Sequence, residues 1–270
     1  MLRILGAIEA LECYFGAPEF VVACGTSCMI GAAYCHYGIE KTKKIFEKLI
    51  SDVESIFSFD FYETNRGIMS QSDTYRKLND FYTLIKSGTS LKQLGIEDIK
   101  KIDRFLQQNF SFLNSKLLKI TCYTSLFDFQ KAKEKIMPLT NTNILKAGIS
   151  IVPFMGPVEI EGANYISTQN IQGVSSPFRG RKADISVFLD TLSEKGTPPF
   201  MSSMYILIAA DYMGSVELKR QMEMKFSTGI NLWDNPEYPD DIEFSALFDE
   251  GFKSADKHLK NLLRRITPCR

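Results

Sequence analysis

An α/β domain with a mainly parallel central sheet is the fold class this sequence predicts. Segments with apolar residues at helical intervals alternate with short apolar runs of strand length, glycine and proline separate them, and the order opens helix, strand, helix. At 270 residues the chain is long enough for one large domain with a well-buried core, so a single domain over 1–270 is expected.

The first predicted element is a helix from Leu2 to Phe15, because Leu2, Leu5, Ile8, Leu11 and Phe15 form one apolar stripe and Gly16 with Pro18 ends it. Phe20 to Cys24 is too short for a helix and does not alternate, which suits a strand buried on both faces of a parallel sheet. Helical character resumes at Cys28 and runs towards Tyr37, where Gly38 supplies a stop. Ile39 to Phe57, Ser72 to Lys86 and Ile96 to Leu118 carry helical spacing with mixed charges, as solvated helices with one buried face do. Strand-like segments follow at Leu118 to Thr124, Pro157 to Ile160 and Ile185 to Leu189, and Met201 to Met213 is again helical.

Bulk composition excludes several function classes. Lys+Arg 32 balance Asp+Glu 32, so no whole-chain positive field draws the protein to nucleic acid or anionic lipid. The six cysteines, Cys13, Cys24, Cys28, Cys35, Cys122 and Cys269, form no CxxC pair and read as reduced, buried thiols of a cytoplasmic protein. The two histidines, His36 and His258, lack partners at ligand spacing, so no metal site is expected, and no cofactor either. No segment approaches the roughly 18 unbroken apolar residues of a membrane span, and Glu9, Glu12, Pro18 and Glu19 break up the apolar N-terminus. Any membrane contact is therefore expected to be peripheral.

The chemistry-bearing motif lies in EFVVACGTSCMIGAAYCHYG, Glu19 to Gly38. Gly25-Thr26-Ser27-Cys28-Met29 sits between a predicted buried strand and a helix, the context that gives a G-x-S-x-G elbow its meaning. A nucleophile there stands on a strained turn, with the helix N-terminus beyond it favouring developing negative charge. Met29 replaces the second glycine, and its side chain is expected to crowd the close approach of helix and strand. Taken alone, a five-residue match with one departure is weak and favours a small serine in a buried turn over a nucleophile.

Three blocks extend the match. GAIEALE (Gly6 to Glu12) with the elbow, LTNTNILKAGISIVPFMGPVEIEGANYIS (Leu139 to Ser167) and DIEFSALFDEGFKSADKHL (Asp241 to Leu259) resemble, in order, the patatin-like phospholipase family. Its members read G-x-L-x-x-L-E before a GTSxG elbow, and Ile8 stands here for the leucine. The resemblance implies a three-layer fold and a serine lipid acyl hydrolase with a Ser-Asp dyad. Ser27 is then the implied nucleophile.

The same resemblance implies a damaged site. The dyad aspartate would follow the tyrosine of the second block, but the chain reads Tyr165-Ile166-Ser167-Thr168-Gln169, with Ser167 at the aspartate's place. A hydroxyl cannot accept the Ser27 proton with useful driving force, so general-base assistance of about 10²–10⁴-fold should vanish. His36 lies nine positions after Ser27, about 13 Å along a helix at roughly 1.5 Å per residue, too far to serve as base. Asp184 and Asp190 are the acids nearby in sequence that could substitute. The family's GGGxxG oxyanion loop and first strand would precede Gly6 and are not in the sequence as it stands.

The expected function is thus a patatin-like acyl hydrolase family member, catalytically impaired or inactive. The alternatives are a non-catalytic lipid-binding or interaction module and a working hydrolase that uses another acid. A lipid or acyl ester is the implied ligand, and Phe154, Met155 and Phe178 could line an acyl pocket or belong to an ordinary core.

Overall fold

The computed structural model describes residues 2–56, 99–115, 118–128, 130–150, 155–168, 187–190, 228–231 and 244–266. The expected helices at Ser72 to Lys86 and Met201 to Met213 lie outside these residues, as do Phe154, Gln169, Phe178, Asp184 and Cys269. Contacts divide the chain into two compact units, 21–175 and the pair of segments 1–20 and 176–270.

The unit 21–175 takes in nearly all of β1 (Phe20–Ala23), then α2 (Ser27–Tyr37), α3 (Ile39–Ile56), α4 (Ile99–Phe110), β2 (Thr121–Asp128), β3 (Lys133–Pro138), α5 (Thr142–Ile149), β4 (Val158–Ile160) and β5 (Ala163–Ser167). Gly38 separates α2 from α3 at a φ of 80°, its N–H donating to Tyr34 O at 2.8 Å. The helix expected from Ile96 to Leu118 gives way after Phe110 to a short 3₁₀ turn, Ser111–Asn114, which still buries Leu113. The strand expected from Leu118 begins at Thr121 and continues to Asp128.

The five-stranded sheet runs in the order β1-β2-β5-β4, with β3 also paired to β2. Leu126, Phe127 and Asp128 pair with both β3 and β5, so these two strands flank the end of β2. The sheet is mixed rather than mainly parallel, since β2 with β3, β2 with β5 and β4 with β5 are all antiparallel. Connection length explains the difference, because a parallel pair needs a crossover of a dozen or more residues. Here β2 and β3 are joined by residues 129–132 alone. Between β4 and β5 stand only Glu161 and Gly162, at φ values of 51° and 78°. Two successive left-handed residues make the turn whose twist suits a tight hairpin.

Register fixes which side chains meet. Residues directly opposite in an antiparallel ladder share a face, so Leu126 with Ser167 and Asp128 with Tyr165 lie on one side of the sheet. Thr124 is on that side too, two residues before Leu126, and packs against Cys28 of α2 and Gly148 of α5. Val21 and Ala23 of β1 face Gly31 of α2. β1 is not the doubly buried strand its apolar run suggests, for only Ala23 of its four residues is fully buried.

The other unit holds α1 (Leu2–Phe15), the parallel pair β6 (Val187–Asp190) and β7 (Thr228–Asn231), and α6 (Phe244–Ile266). Helices α1 and α6 approach so closely that a Cβ on Gly6 would strike the carbonyl of Phe248, and one on Gly251 would strike that of Arg3. Ala7, Ala10, Ala255, Leu259 and Ile230 form the core of this unit. Arg3 Nη2 pairs with Glu250 Oε2 at 2.6 Å, while the Tyr14 hydroxyl and Lys260 Nζ each donate to Asp256 at 2.7 Å. Lys260, then Tyr14, hold the Asp256 carboxyl below its ordinary range.

Candidate active site

The strand-to-helix turn expected at Gly25 to Met29 is present. β1 ends at Ala23, and the backbone folds over through Cys24, Gly25 and Thr26 before α2 begins at Ser27. Gly25 takes the left-handed conformation at a φ of 60°, which costs a residue without Cβ little. Thr26 is already helical, at φ −62° and ψ −20°, and its side chain caps nothing. The first turn closes through Cys28 N to Gly25 O at 3.0 Å and Met29 N to Thr26 O at 3.2 Å.

The left-handed backbone of the turn falls on Gly25 and not on Ser27, since the positive-φ non-glycines among the described residues are Ala132 and Glu161. Gly25 absorbs the bend, and Ser27 enters as the first residue of α2, its Oγ donating to Cys24 O at 2.6 Å. Nor does Met29 crowd the approach of helix and strand. A Cβ on Gly31 would sit 3.3 Å from both Ala23 Cβ and Cys122 Sγ, so α2 meets the sheet at position 31. At about 100° per residue, Met29 points roughly 200° away from that contact, and it is fully buried there.

Ser167 ends β5 and comes to the same turn. Its Oγ accepts the Gly25 N–H at 2.9 Å, and its own N–H donates to Ser150 O at 2.8 Å. The Gly25 N–H is shared, since Gly148 O of α5 also accepts it at 2.8 Å. Ser167 is 3 % exposed. The two serines of the expected dyad positions are therefore brought to one turn, one bonded to the carbonyl before Gly25 and one to the N–H of Gly25 itself.

Gly148 was not among the expected site residues, yet it sets the geometry. A Cβ there would lie 2.6 Å from Thr124 Oγ1 and 2.9 Å from Cys28 Sγ, which themselves stand 3.3 Å apart. Only glycine lets the end of α5 sit low enough for its carbonyl to reach Gly25. The helix is started by Asn141, whose side chain accepts the Ile144 N–H at 2.9 Å. A visible signal was this cap followed by a glycine seven residues on.

The electrostatics disfavour thiolate at the elbow. Burial, reinforced by the Glu134 carboxylate, pushes the Cys24 thiol up to about 12. Burial raises Cys28 further, against a lowering contribution from Thr124. Glu134 itself accepts a hydrogen bond from Ser125 Oγ at 2.5 Å. Asp128, on the face of Ser167, is committed elsewhere: burial pushes its carboxyl up, but the N–H groups of Lys131 and Gln130 outweigh that and leave it below the ordinary range. Asp190 ends β6 in the other unit.

The remaining expected residues sort as follows. His36 stacks on Phe112, ring centroids 4.5 Å apart and 12° from parallel, at the far end of α2. Cys28, Cys35 and Cys122 are buried thiols, Cys24 is half-buried, and Cys13 is exposed on the last turn of α1, contrary to the expectation of burial. Met155 is buried and lines a recess of about 210 Å³ with Asn143, Lys146, Pro157 and Val158; no elbow residue lines it. Among the described residues no group of three or more His, Cys, Asp or Glu could hold a metal ion, and no helix is long and apolar enough to cross a membrane.

No protein-family model matches the chain, and no curated protein matches it.

Proposed function

We propose that this chain is a divergent patatin-like protein in which Ser27 keeps the nucleophile's place and the acid of the dyad has been replaced by Ser167, leaving ester hydrolysis impaired or lost. The observation that carries the reading is the 2.9 Å contact from Gly25 N to Ser167 Oγ. Ser167, which the sequence resemblance sets at the dyad aspartate's place, lies 142 positions from Gly25 in sequence, reaches its N–H, and bears a hydroxyl. The engagement of Ser27 Oγ with Cys24 O supports the same reading, since a hydroxyl donating to a carbonyl has no base drawing off its proton. The ligand class that goes with it is a lipid or another acyl ester.

Hydrolysis of short-chain and long-chain p-nitrophenyl esters by the purified protein tests the proposal. Turnover equal to that of Ser27→Ala is expected. Turnover well above background and abolished in Ser27→Ala would favour a working hydrolase with a different acid. Saturable fatty-acid binding without turnover would favour a lipid-binding module on the same fold.

A further inference from the structure

We draw no further inference here: the strongest candidate, the thiol cluster of Cys28, Cys35 and Cys122 between α2 and β2, carries nothing because its side chains are at most 1 % exposed, with Cys122 held protonated by its hydrogen bond with Cys35 and by burial and Cys28 by burial, a state in which cysteines are unreactive towards oxidants, metals and electrophiles.

Discussion

Replacing Gly148 with alanine tests the packing that brings the elbow and α5 together. In an exposed helix interior the change would stabilise by up to about 1 kcal/mol, because alanine is the better helix former. Here the new methyl carbon meets Thr124 Oγ1 at 2.6 Å and Cys28 Sγ at 2.9 Å, both closer than real Cβ contacts come. Neither neighbour is the loose end of a long side chain, as Thr124 sits on β2 and Cys28 in the first turn of α2. Overpacking of this kind costs typically 1–3 kcal/mol, and two simultaneous clashes put the cost near the top of that range. The net loss is then about 2 kcal/mol, a fall in Tm of roughly 4–8 °C for a chain of this size. Thermal and urea unfolding followed by far-ultraviolet circular dichroism read it directly. Thr124→Ala removes the nearer obstacle, so Gly148→Ala should cost less in that background, by a coupling of about 1 kcal/mol. A neutral or stabilising Gly148→Ala would refute the close approach, as would equal costs in the two backgrounds.

Other perturbations have definite outcomes. Gly6→Ala and Gly251→Ala each press a methyl group against a backbone carbonyl of the opposing helix, which cannot swing aside, so each should cost about 3 kcal/mol or more; limited proteolysis of α1 and α6 alongside urea denaturation would register it. Asp128 has a folded-state pKa below its unfolded value, so its contribution is fully present above the unfolded pKa and is lost as pH falls through the folded one. Asp128→Asn should therefore destabilise most near neutrality, with the difference from the parent shrinking below about pH 4 in a series of urea titrations.

Much of the elbow was legible because its signals are local. An apolar run, a glycine and an alanine-bearing segment define strand, turn and helix within the span Phe20 to Tyr37. The motif marks the serine, while the left-handed backbone of the turn falls on Gly25, the residue that bears it at least cost. The packing glycine was sought at position 29, whereas the helical period that turns Met29 away brings Gly31 to the sheet. β3 was hidden by its edge chemistry, as Lys133, Glu134 and Lys135 read as solvated charge, which is how edge strands resist unwanted pairing. The β4–β5 hairpin turns on Glu161-Gly162, a dipeptide less telling than Asn-Gly, and this obscured the antiparallel character of the sheet. The meeting of Ser167 with Gly25 could not be read from composition or periodicity, since it depends on tertiary pairing across the sheet.

In the proposed function the elbow hydroxyl lacks a base, because position 167 carries a hydroxyl instead of a carboxylate. Labelling by a fluorophosphonate probe, comparing the parent protein with Ser167→Asp and with Ser27→Ala, tests this most directly. A carboxylate at 167 would accept the Gly25 N–H as the hydroxyl does, so the variant should fold, which circular dichroism verifies. Background labelling of the parent, equal to that of Ser27→Ala, and an increase of about 10²-fold or more at Ser27 in Ser167→Asp are expected. Strong labelling of Ser27 in the parent, or a folded Ser167→Asp that labels no faster, would contradict that proposal.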